Sequence, residues 1–213
     1  MLEHGGDSGA VPGGDGAADL AQARDPFALF AEIYDRAFAA GIRNANAMAL
    51  STVGTDGAPS TRQVLLKHVD REGFVFYTNR DSRKGRQIAG NPRVSLNFYW
   101  RELGRQVLVE GRVETVGDAE ADAYFATRDR GSQIGAWASR QSQPLESRAA
   151  LAAEVAALER EYAGRAVPRP PFWSGYRVVP HYFEFWAEGA ARLHDRIAFE
   201  RSGDGWRSRR LYP

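Results

Sequence analysis

Residues 61–85, TRQVLLKHVDREGFVFYTNRDSRKG, form the stretch that decides the fold. The pattern predicts two apolar strands, Thr61–Lys67 and Phe74–Thr78, joined by a turn at Asp70–Gly73 and followed by a helix that begins at Ser82-Arg83-Lys84. The first turn of a helix carries a partial positive charge, so Arg and Lys are unfavourable there unless an anion binds. We therefore expect an anion near Arg83 and Lys84, and a phosphate is the best candidate.

Other polar groups in the same stretch could meet this anion. Arg62, Lys67 and the hydroxyls of Thr78 and Ser82 lie in the adjoining segments. Arg62 and Lys67 are five residues apart, so a regular strand would direct them to opposite faces. Either a bulge intervenes or the two side chains serve different groups. The alternative to a phosphate site is a solvated basic turn, because Lys and Arg are mostly exposed in proteins.

The composition is that of an ordinary globular protein. With 213 residues, of which 43% are hydrophobic, the chain can form one sizeable core, and its formal net charge of +1 gives no indication of nucleic-acid or membrane binding. No apolar run reaches the length of a spanning helix and no secretory signal is evident, so we expect a cytoplasmic protein. The absence of Cys excludes disulfides, thiol catalysis and Cys-ligated metals.

The order of the predicted elements indicates a mainly β fold. Residues 1–24 are rich in Gly, Asp and Ala and predict a disordered or mobile arm, whereas residues 25–213 are expected to form a single domain. A helix with an aromatic face begins at Asp25-Pro26. Further strands are predicted at Ala47–Val53, Val94–Trp100, Gln106–Thr115, Tyr176–Trp186, Arg196–Arg201 and Trp206–Leu211. The early strands are short and closely spaced, which favours an antiparallel, closed or partly closed barrel over a doubly wound parallel sheet.

Two further helices are predicted between these strands. One spans Asp118–Arg128, and Tyr124, Arg128 and Ser132 would share one face of it if the helical turn continued. The other is expected to begin at Pro144. Its apolar stripe, Leu151, Val155, Leu158 and Tyr162, favours a role in the core or in a subunit interface over a ligand site.

The segment RLHDR, Arg192–Arg196, could bind an anion and handle a proton. Strand alternation would direct Arg192, His194 and Arg196 to one face, and an exposed charged strand is the alternative interpretation. Amide and hydroxyl groups at Gln106, Gln141 and Ser142 suit the edge of a heterocycle. No spacing indicates a zinc site, a nucleophile elbow or a dinucleotide-binding glycine loop.

Eight motifs in order carry a resemblance to a known family. RQVLLK, FVFYTN, SRKG, RQVLVEGRVE, YFATR, SQIGAWASRQS, VPRP and FW with RLHDR resemble the pyridoxamine/pyridoxine 5'-phosphate oxidase family, and the likeness extends from about Asp25 to Pro213. The resemblance implies an FMN-binding split β-barrel of antiparallel, Greek-key type with peripheral helices. It also implies a homodimer with FMN at the subunit interface, acting on a small molecule and O2.

The resemblance further implies two sets of contacts and no metal. The implied FMN contacts are Arg62, Gln63, Val64, Leu65, Leu66, Lys67, Tyr77, Thr78, Arg83, Lys84, Gln106, Gln141, Ser142, Trp186 and Arg196. The implied substrate contacts are Lys67, Tyr124, Arg128 and Ser132 at the phosphate, and Arg192, Leu193 and His194 at the pyridine ring. Arg192 and His194 would be the catalytic residues.

The implied reaction is the oxidation of pyridoxamine or pyridoxine 5'-phosphate to pyridoxal 5'-phosphate. The C4' carbon would give up a hydride to the flavin, and O2 would reoxidise the flavin and leave as hydrogen peroxide. Arg192 can stabilise developing negative charge, and His194 can position the substrate or handle a proton.

Two departures point to a sister branch. The family's basic, Tyr-containing N-terminal arm has no match in GGDSGAVPGGDGAADL, residues 5–20, and Ala187 of FWAEG stands where the vitamin enzymes carry Gln. Together with Gly41–Arg43, Ala187 looks like the flavin oxidases of phenazine biosynthesis, which act on reduced tricyclic carboxylic acids. The intact phosphate positions favour the vitamin reaction. A non-catalytic flavin- or vitamer-binding protein is a third possibility, against which Arg192 and His194 argue.

Overall fold

The computed structural model of the chain describes Leu20 and residues 23–213. The predicted N-terminal arm, residues 1–24, lies largely outside the described residues and stays a prediction. Leu20, which is described, is helical and buried.

From residue 23 onwards the chain forms nine strands and five helices. The helices are α1 (Pro26–Ala39), α2 (Arg83–Gly90), α3 (Asp118–Ala126), α4 (Arg130–Ala138) and α5 (Arg148–Glu161). The strands are β1 (Ala47–Val53), β2 (Pro59–Leu65), β3 (His68–Asp70), β4 (Gly73–Asn79), β5 (Arg93–Trp100), β6 (Arg105–Thr115), β7 (Trp173–Ala187), β8 (Asp195–Ser202) and β9 (Gly205–Leu211). The predicted mainly β fold with accompanying helices is confirmed. No helix among these described residues combines the length and the apolar character needed to cross a membrane.

All nine strands belong to one sheet. Seven follow the order β2-β1-β5-β6-β7-β4-β3, while β8 pairs with β7 and β9 pairs with β8. The pairings of β3 with β4, β4 with β7, β7 with β8 and β8 with β9 are antiparallel. In these registers Asn79 lies opposite Trp173, and Ala187 lies opposite Asp195.

The chain divides into two compact units. The first comprises the described residues up to Met48, Leu96–Glu110 and Pro180–Pro213. Helix α1 belongs to it and begins where the sequence predicts, because the Asp25 carboxylate accepts a hydrogen bond from the Phe27 backbone N–H at 3.0 Å. Its aromatic face is buried: the ring of Phe30 lies 5.0 Å from that of Phe98, and the ring of Phe27 lies 5.2 Å from that of Phe183.

The second unit comprises Ala49–Ser95 and Gly111–Val179. One of its apolar clusters is formed by Phe125, Ile134, Ala138, Leu158, Val167 and Trp173. Leu151, Val155 and Tyr162 pack against this cluster. The predicted apolar stripe of α5 therefore contributes to a core, which is one of the two roles expected for it.

Two predicted helix boundaries are wrong. The helix from Asp118 ends at Ala126, and a separate helix, α4, begins at Arg130 because the Asp129 carboxylate accepts the Ser132 backbone N–H at 2.8 Å. Tyr124, Arg128 and Ser132 consequently do not share one helical face. Helix α5 begins at Arg148 rather than at Pro144, since the Ser147 hydroxyl caps it through the Ala150 N–H at 3.0 Å.

The predicted strand Thr61–Lys67 is interrupted before its end. Strand β2 stops at Leu65 and β3 starts at His68. Between them, the Lys67 backbone N–H donates to the Val75 carbonyl at 2.9 Å. The interruption breaks the strict alternation, so the spacing of Arg62 and Lys67 no longer determines their directions.

Candidate functional site

Strand β4 and the segments around α3 and α4 line a cavity of about 570 Å³ in the second unit. Cavities of this size are typical of small-molecule and cofactor sites. The lining residues are Gln63, Val64, Leu65, Lys67, Tyr77, Thr78, Asn79, Lys84, Tyr124, Thr127, Arg128, Asp129, Ser132, Gln141 and Trp173. Most of the predicted FMN contacts of this unit and all four predicted substrate-phosphate contacts are thus brought to one cavity.

At the start of α2 the structure buries a cation. Ser82 caps the helix, and Lys84, two residues further on, is only 8% exposed. Lys84 Nζ donates to the Thr78 hydroxyl at 3.1 Å and to the Gln141 side-chain carbonyl at 2.5 Å. Burial, with a smaller contribution from Arg62, lowers the pKa of Lys84 to about 8. A charged amine is therefore held in a place that disfavours its charge.

Arg62 reinforces the positive potential around Lys84. Its Nη1 donates to the Leu50 carbonyl at 3.0 Å and to the Thr52 hydroxyl at 2.7 Å, which fixes the guanidinium. Burial and then the charge of Arg83 lower the pKa of Arg62. Among the described residues, none of Arg62, Arg83 and Lys84 forms an ion pair with a carboxylate, so this group of cations suits an anionic ligand.

A second cation, Arg128, lies in the same cavity. Its Cζ is 4.8 Å from the ring centroid of Trp173 and 5.5 Å from that of Phe125. Its Nη1 is buried and has no hydrogen-bond partner in the described part of the chain. Burial lowers the pKa of Arg128. Nearby, Lys67 Nζ lies 5.9 Å from the Tyr124 ring centroid.

Three rings in the wall of this cavity are nearly parallel. Tyr77 stacks on Tyr124 with centroids 4.0 Å apart, and the Trp173 ring is tilted by only 11° from Tyr77 and 6° from Tyr124. Burial, followed by the charge of Glu120, raises the pKa of Tyr77 to about 12. The cavity therefore has a rigid aromatic wall.

In the first unit, Arg192 and His194 lie in a tight turn. Ala190–Arg192 form one 3-10 turn, and β8 begins only at Asp195. The predicted alternation of Arg192, His194 and Arg196 along one strand is therefore wrong. Arg192 has a φ of 62° and the adjacent Ala191 a φ of 52°, a conformation that costs free energy for residues other than glycine. Ser142, another predicted contact, has a φ of 70°.

The imidazole of His194 is fixed on two sides. Its Nδ1 accepts the backbone N–H of Gly189 at 3.2 Å, and its ring centroid lies 4.6 Å from that of Trp186. With Leu193, which is 72% exposed, and with the C-terminal residues 210–213, it lines an open depression of about 750 Å³.

Gln106, another predicted FMN contact, lies on β6 and is half-buried.

Arg196 is already paired within the first unit. Its Nε and Nη2 both approach Oε1 of the buried Glu184, at 2.8 Å and 2.7 Å, and its Nη1 donates to the Tyr212 carbonyl at 2.9 Å. These bonds fix the guanidinium and use most of its donors. Any ligand contact of Arg196 must therefore use the N–H groups that remain.

Sequence reasoning missed two residues that shape these groups. The sequence patterns do not single out Trp173, although its ring lies in the wall of the cavity. Gln87 was not singled out, yet its side-chain carbonyl accepts from Thr52 and Ser60 at 2.6 Å each and from Arg62 at 3.4 Å. The aromatic character of Trp173 was a usable signal, whereas nothing in the pattern marked Gln87.

Comparison with models of protein families shows which family the chain belongs to. Residues 34–161 match the model described as pyridoxamine 5'-phosphate oxidase. The chain belongs to the pyridoxamine 5'-phosphate oxidase family. Residues 173–213 match the C-terminal dimerisation region described for pyridoxine 5'-phosphate oxidase, which supports the predicted homodimer. The resemblance stated from the motifs is confirmed.

Named relatives and solved structures of this family agree with the assignment. The chain is 58% identical over 189 residues to a pyridoxine/pyridoxamine 5'-phosphate oxidase of Myxococcus xanthus strain DK1622, covering 89% of this chain and 92% of that protein. Identity to the Rubrobacter xylanophilus protein of the same name is 57%, over 89% of this chain and 87% of that one.

Among solved structures, PhzG from Burkholderia lata 383 in complex with tetrahydrophenazine-1-carboxylic acid is similar with a TM-score of 0.85 and 36% identity, over 90% of this chain and 94% of that one. A pyridoxamine 5'-phosphate oxidase-related, FMN-binding protein of Nostoc punctiforme has a TM-score of 0.72 at 15% identity, over 90% of this chain and 100% of that one, and shows the fold alone. The predicted split-barrel fold class is confirmed.

Proposed function

We propose that this chain is an FMN-dependent oxidase that converts pyridoxamine or pyridoxine 5'-phosphate to pyridoxal 5'-phosphate, with O2 as acceptor and hydrogen peroxide as product. The observation that carries the proposal is one cavity lined by two groups of cations, Lys84 in one and Arg128 with Lys67 in the other. Two phosphate esters, one on the cofactor and one on the substrate, would satisfy both. The names of the relatives at 57% and 58% identity support the same reaction.

The residues around Lys84 fit the phosphate of FMN. Lys84 is buried near Arg62, and no carboxylate of the described residues forms an ion pair with either cation. Thr78 and Ser82 add hydroxyls within 3.4 Å of Lys84 Nζ. A phosphate there would satisfy the cations and oppose the cost of burying them. When bound, FMN would accept a hydride from the substrate C4' carbon and pass the electrons to O2.

Arg128 and Lys67 would bind the substrate phosphate. Arg128 supplies Nη1, which lacks a hydrogen-bond partner among the described residues, and Lys67 is an exposed ammonium beside Tyr124. Tyr124 and Ser132 add hydroxyls at the same cavity. Two cations and two hydroxyls would bind a phosphate dianion more tightly than a neutral hydroxymethyl group.

Arg192 and His194 would act on the pyridine ring of the substrate, with FMN at the subunit interface of the homodimer. Arg192 would stabilise negative charge that develops in the ring. Because Nδ1 of His194 accepts the Gly189 N–H, the proton of the neutral imidazole lies on Nε2. His194 would therefore donate a hydrogen bond to the substrate through Nε2 and orient it.

The second candidate function is oxidation of a reduced phenazine carboxylic acid. It is favoured by the likeness to the Burkholderia lata structure and by the buried Ala187 in β7. The third is flavin or vitamer binding without turnover. A phenazine substrate has no phosphate, so it leaves the requirement of Arg128 and Lys67 for a dianion less well explained.

The deciding experiment is steady-state O2 consumption by the FMN-loaded protein with pyridoxamine 5'-phosphate, following the aldehyde product. We expect turnover at micromolar substrate. Oxidation of a dihydrophenazine carboxylic acid without oxidation of the vitamer would establish the second function. Retained FMN whose visible absorbance is bleached by neither compound would establish the third. The cytoplasmic location stays a prediction.

The FMN phosphate site has a separate test. Arg83→Ala combined with Lys84→Ala should release FMN during gel filtration, because both cations of the first turn of α2 are lost. Arg86→Ala is the matched control, since Arg86 lies on the same short helix but donates to the Asp81 carbonyl. Equal flavin retention in the double variant and the control would contradict the assignment.

A further inference from the structure

We propose that Trp173 is a positioning residue for the phosphate ester of the substrate: its indole face holds the Arg128 guanidinium and leaves Nη1 for the phosphate. The inference rests on the proposed function and adds a residue to that site. It starts from the 4.8 Å distance between Arg128 Cζ and the Trp173 ring centroid.

Arg128 is supported by rings and not by carboxylates. Within the described residues it forms no ion pair, and the neighbouring carboxylate of Asp129 caps α4 through the Ser132 N–H. The faces of Trp173 and Phe125 supply the attraction instead. A cation–π contact attracts a guanidinium without using its N–H groups or cancelling its charge. Arg128 thus stays available to an external anion.

The unpaired nitrogen indicates what that anion must do. A buried N–H without an acceptor costs free energy, and Arg128 Nη1 is such a group in the described chain. Its neighbours on the cavity wall, Lys67, Tyr124 and Ser132, are donors of the kind that bind phosphate oxygens. A phosphate oxygen accepting from Nη1 would remove the cost and would be oriented by the ring behind the guanidinium.

Trp173 is itself held firmly. It is only 6% exposed, and its backbone N–H donates to the Pro170 carbonyl at 3.0 Å. Arg169 donates to the Trp173 carbonyl at 2.8 Å and forms ion pairs with Asp118 and Asp122 of α3 at 2.8 Å and 2.6 Å. Helix α3 also carries Tyr124, so the indole and the phosphate-site hydroxyl are anchored to each other.

The position of Trp173 should therefore affect selectivity for the phosphate. Without the indole, the Arg128 side chain would sample several rotamers. Restricting it to one rotamer when phosphate binds would cost conformational entropy and weaken binding. A vitamer without phosphate makes no use of Arg128. Loss of the indole should weaken phosphorylated ligands and spare their unphosphorylated counterparts.

The test measures dissociation constants of pyridoxal 5'-phosphate and pyridoxal for the FMN-loaded protein by equilibrium dialysis. For Trp173→Leu we expect about a tenfold loss for pyridoxal 5'-phosphate and less than about a twofold change for pyridoxal. Trp173→Phe, which keeps a ring, should lose about threefold and is the deciding variant if the leucine variant does not fold. The KM for pyridoxamine 5'-phosphate should rise in parallel while kcat is retained.

A double-mutant cycle separates positioning from general packing. If Trp173 acts through Arg128, Trp173→Leu should have little further effect in an Arg128→Gln background. Trp206→Leu is the matched control, because Trp206 makes the same kind of contact with Arg201, at 5.4 Å, in the first unit. It should leave both dissociation constants unchanged.

Three results would overturn the inference. Additive losses in the double variant, equal losses for both ligands, or unchanged dissociation constants in Trp173→Leu and Trp173→Phe would each remove Trp173 from the phosphate site while the site itself stands. Failure of the unmodified protein to prefer pyridoxal 5'-phosphate over pyridoxal would instead overturn the proposed function, and this inference with it.

Discussion

The backbone N–H of Gly189 donates to Nδ1 of His194 at 3.2 Å. A main-chain N–H cannot accept, so this bond fixes the lone pair of the neutral imidazole on Nδ1 and its proton on Nε2. The Trp186 ring, tilted by 44° with its centroid 4.6 Å from that of the imidazole, restricts rotation of the His194 ring. His194 is thereby prepared to donate a hydrogen bond and is poorly suited to accept a proton at Nε2.

Substitution of His194 by two amides distinguishes these roles. In His194→Gln the side-chain NH2 reaches the region of Nε2, whereas in His194→Asn the amide replaces only the part of the ring near Nδ1. We expect kcat/KM to fall about threefold in the glutamine variant and about tenfold in the asparagine variant, because one hydrogen bond is worth roughly 0.5–1.5 kcal/mol. Greater activity of the asparagine variant would contradict donation from Nε2. His181→Gln, at an exposed histidine, is the control.

Gly189, whose N–H binds His194, has no room for a larger side chain. A Cβ on Gly189 would lie 2.1 Å from the Leu193 carbonyl oxygen, which is too close for the turn to keep its shape. Gly189→Ala should therefore lower kcat/KM at least tenfold in steady-state assays without weakening FMN. Gly135→Ala, where a Cβ meets nothing within 4 Å, should be active and slightly more stable. Unchanged kcat/KM in Gly189→Ala would show that the turn does not position His194.

Burial of Lys84 predicts a pH-dependent affinity for FMN. The pKa of Lys84 is lowered to about 8, so its ammonium loses its proton in the FMN-free protein as the pH rises through that value. The flavin phosphate is a dianion above pH 7 and requires the charged form. The dissociation constant should rise by roughly tenfold between pH 7 and pH 9. In Lys84→Arg, which stays charged, fluorescence titration should show little change over this interval; a rise equal to that of the unmodified protein would assign the effect elsewhere.

Local patterns predicted the β-rich fold, and they predicted that the Thr78 and Ser82 hydroxyls could meet the same anion as Lys84, because strands, turns and helix polarity depend on nearby residues. The break between α3 and α4 also had a local signal, since Asp129 is a good N-cap, but the continuing helical pattern of the flanking residues concealed it. The sequence does not predict the turn at Ala190–Arg192, because the turn requires positive φ angles at residues other than glycine, and sequence patterns rarely indicate these.

Long-range packing accounts for what the pattern could not supply. Gln141 meets Lys84 across 57 residues of sequence, and only the family resemblance brought the two together beforehand. The parallel rings of Tyr77, Tyr124 and Trp173 come from β4, α3 and β7, which are joined by the sheet and by the core beneath α4. Periodicity assigns each ring to an element but does not determine which rings meet.

Gln87 provides a way to alter the charge of the proposed FMN phosphate site without changing its shape. Its Oε1 accepts from the Thr52 and Ser60 hydroxyls and from Arg62 Nη2. Gln87→Glu keeps an acceptor for all three donors and places a negative charge beside Arg62. Since that charge would neutralise a cation meant for the phosphate, we expect FMN affinity to fall about tenfold. The Tm of the FMN-free protein should be equal or higher, because the half-buried guanidinium of Arg62 gains a charged partner.

Gln87→Leu is the matched control, because it removes the acceptor and adds no charge. Two hydroxyls and Arg62 would lose a partner, so the free energy of unfolding should fall by about 1–3 kcal/mol along with FMN affinity. Fluorescence titration with FMN and thermal unfolding of both variants therefore distinguish the effect of the added charge from the effect of the lost hydrogen bonds. If Gln87→Glu binds FMN as tightly as the unmodified protein, the charge of Arg62 does not contribute to phosphate binding, and Lys84 with Arg83 must supply it.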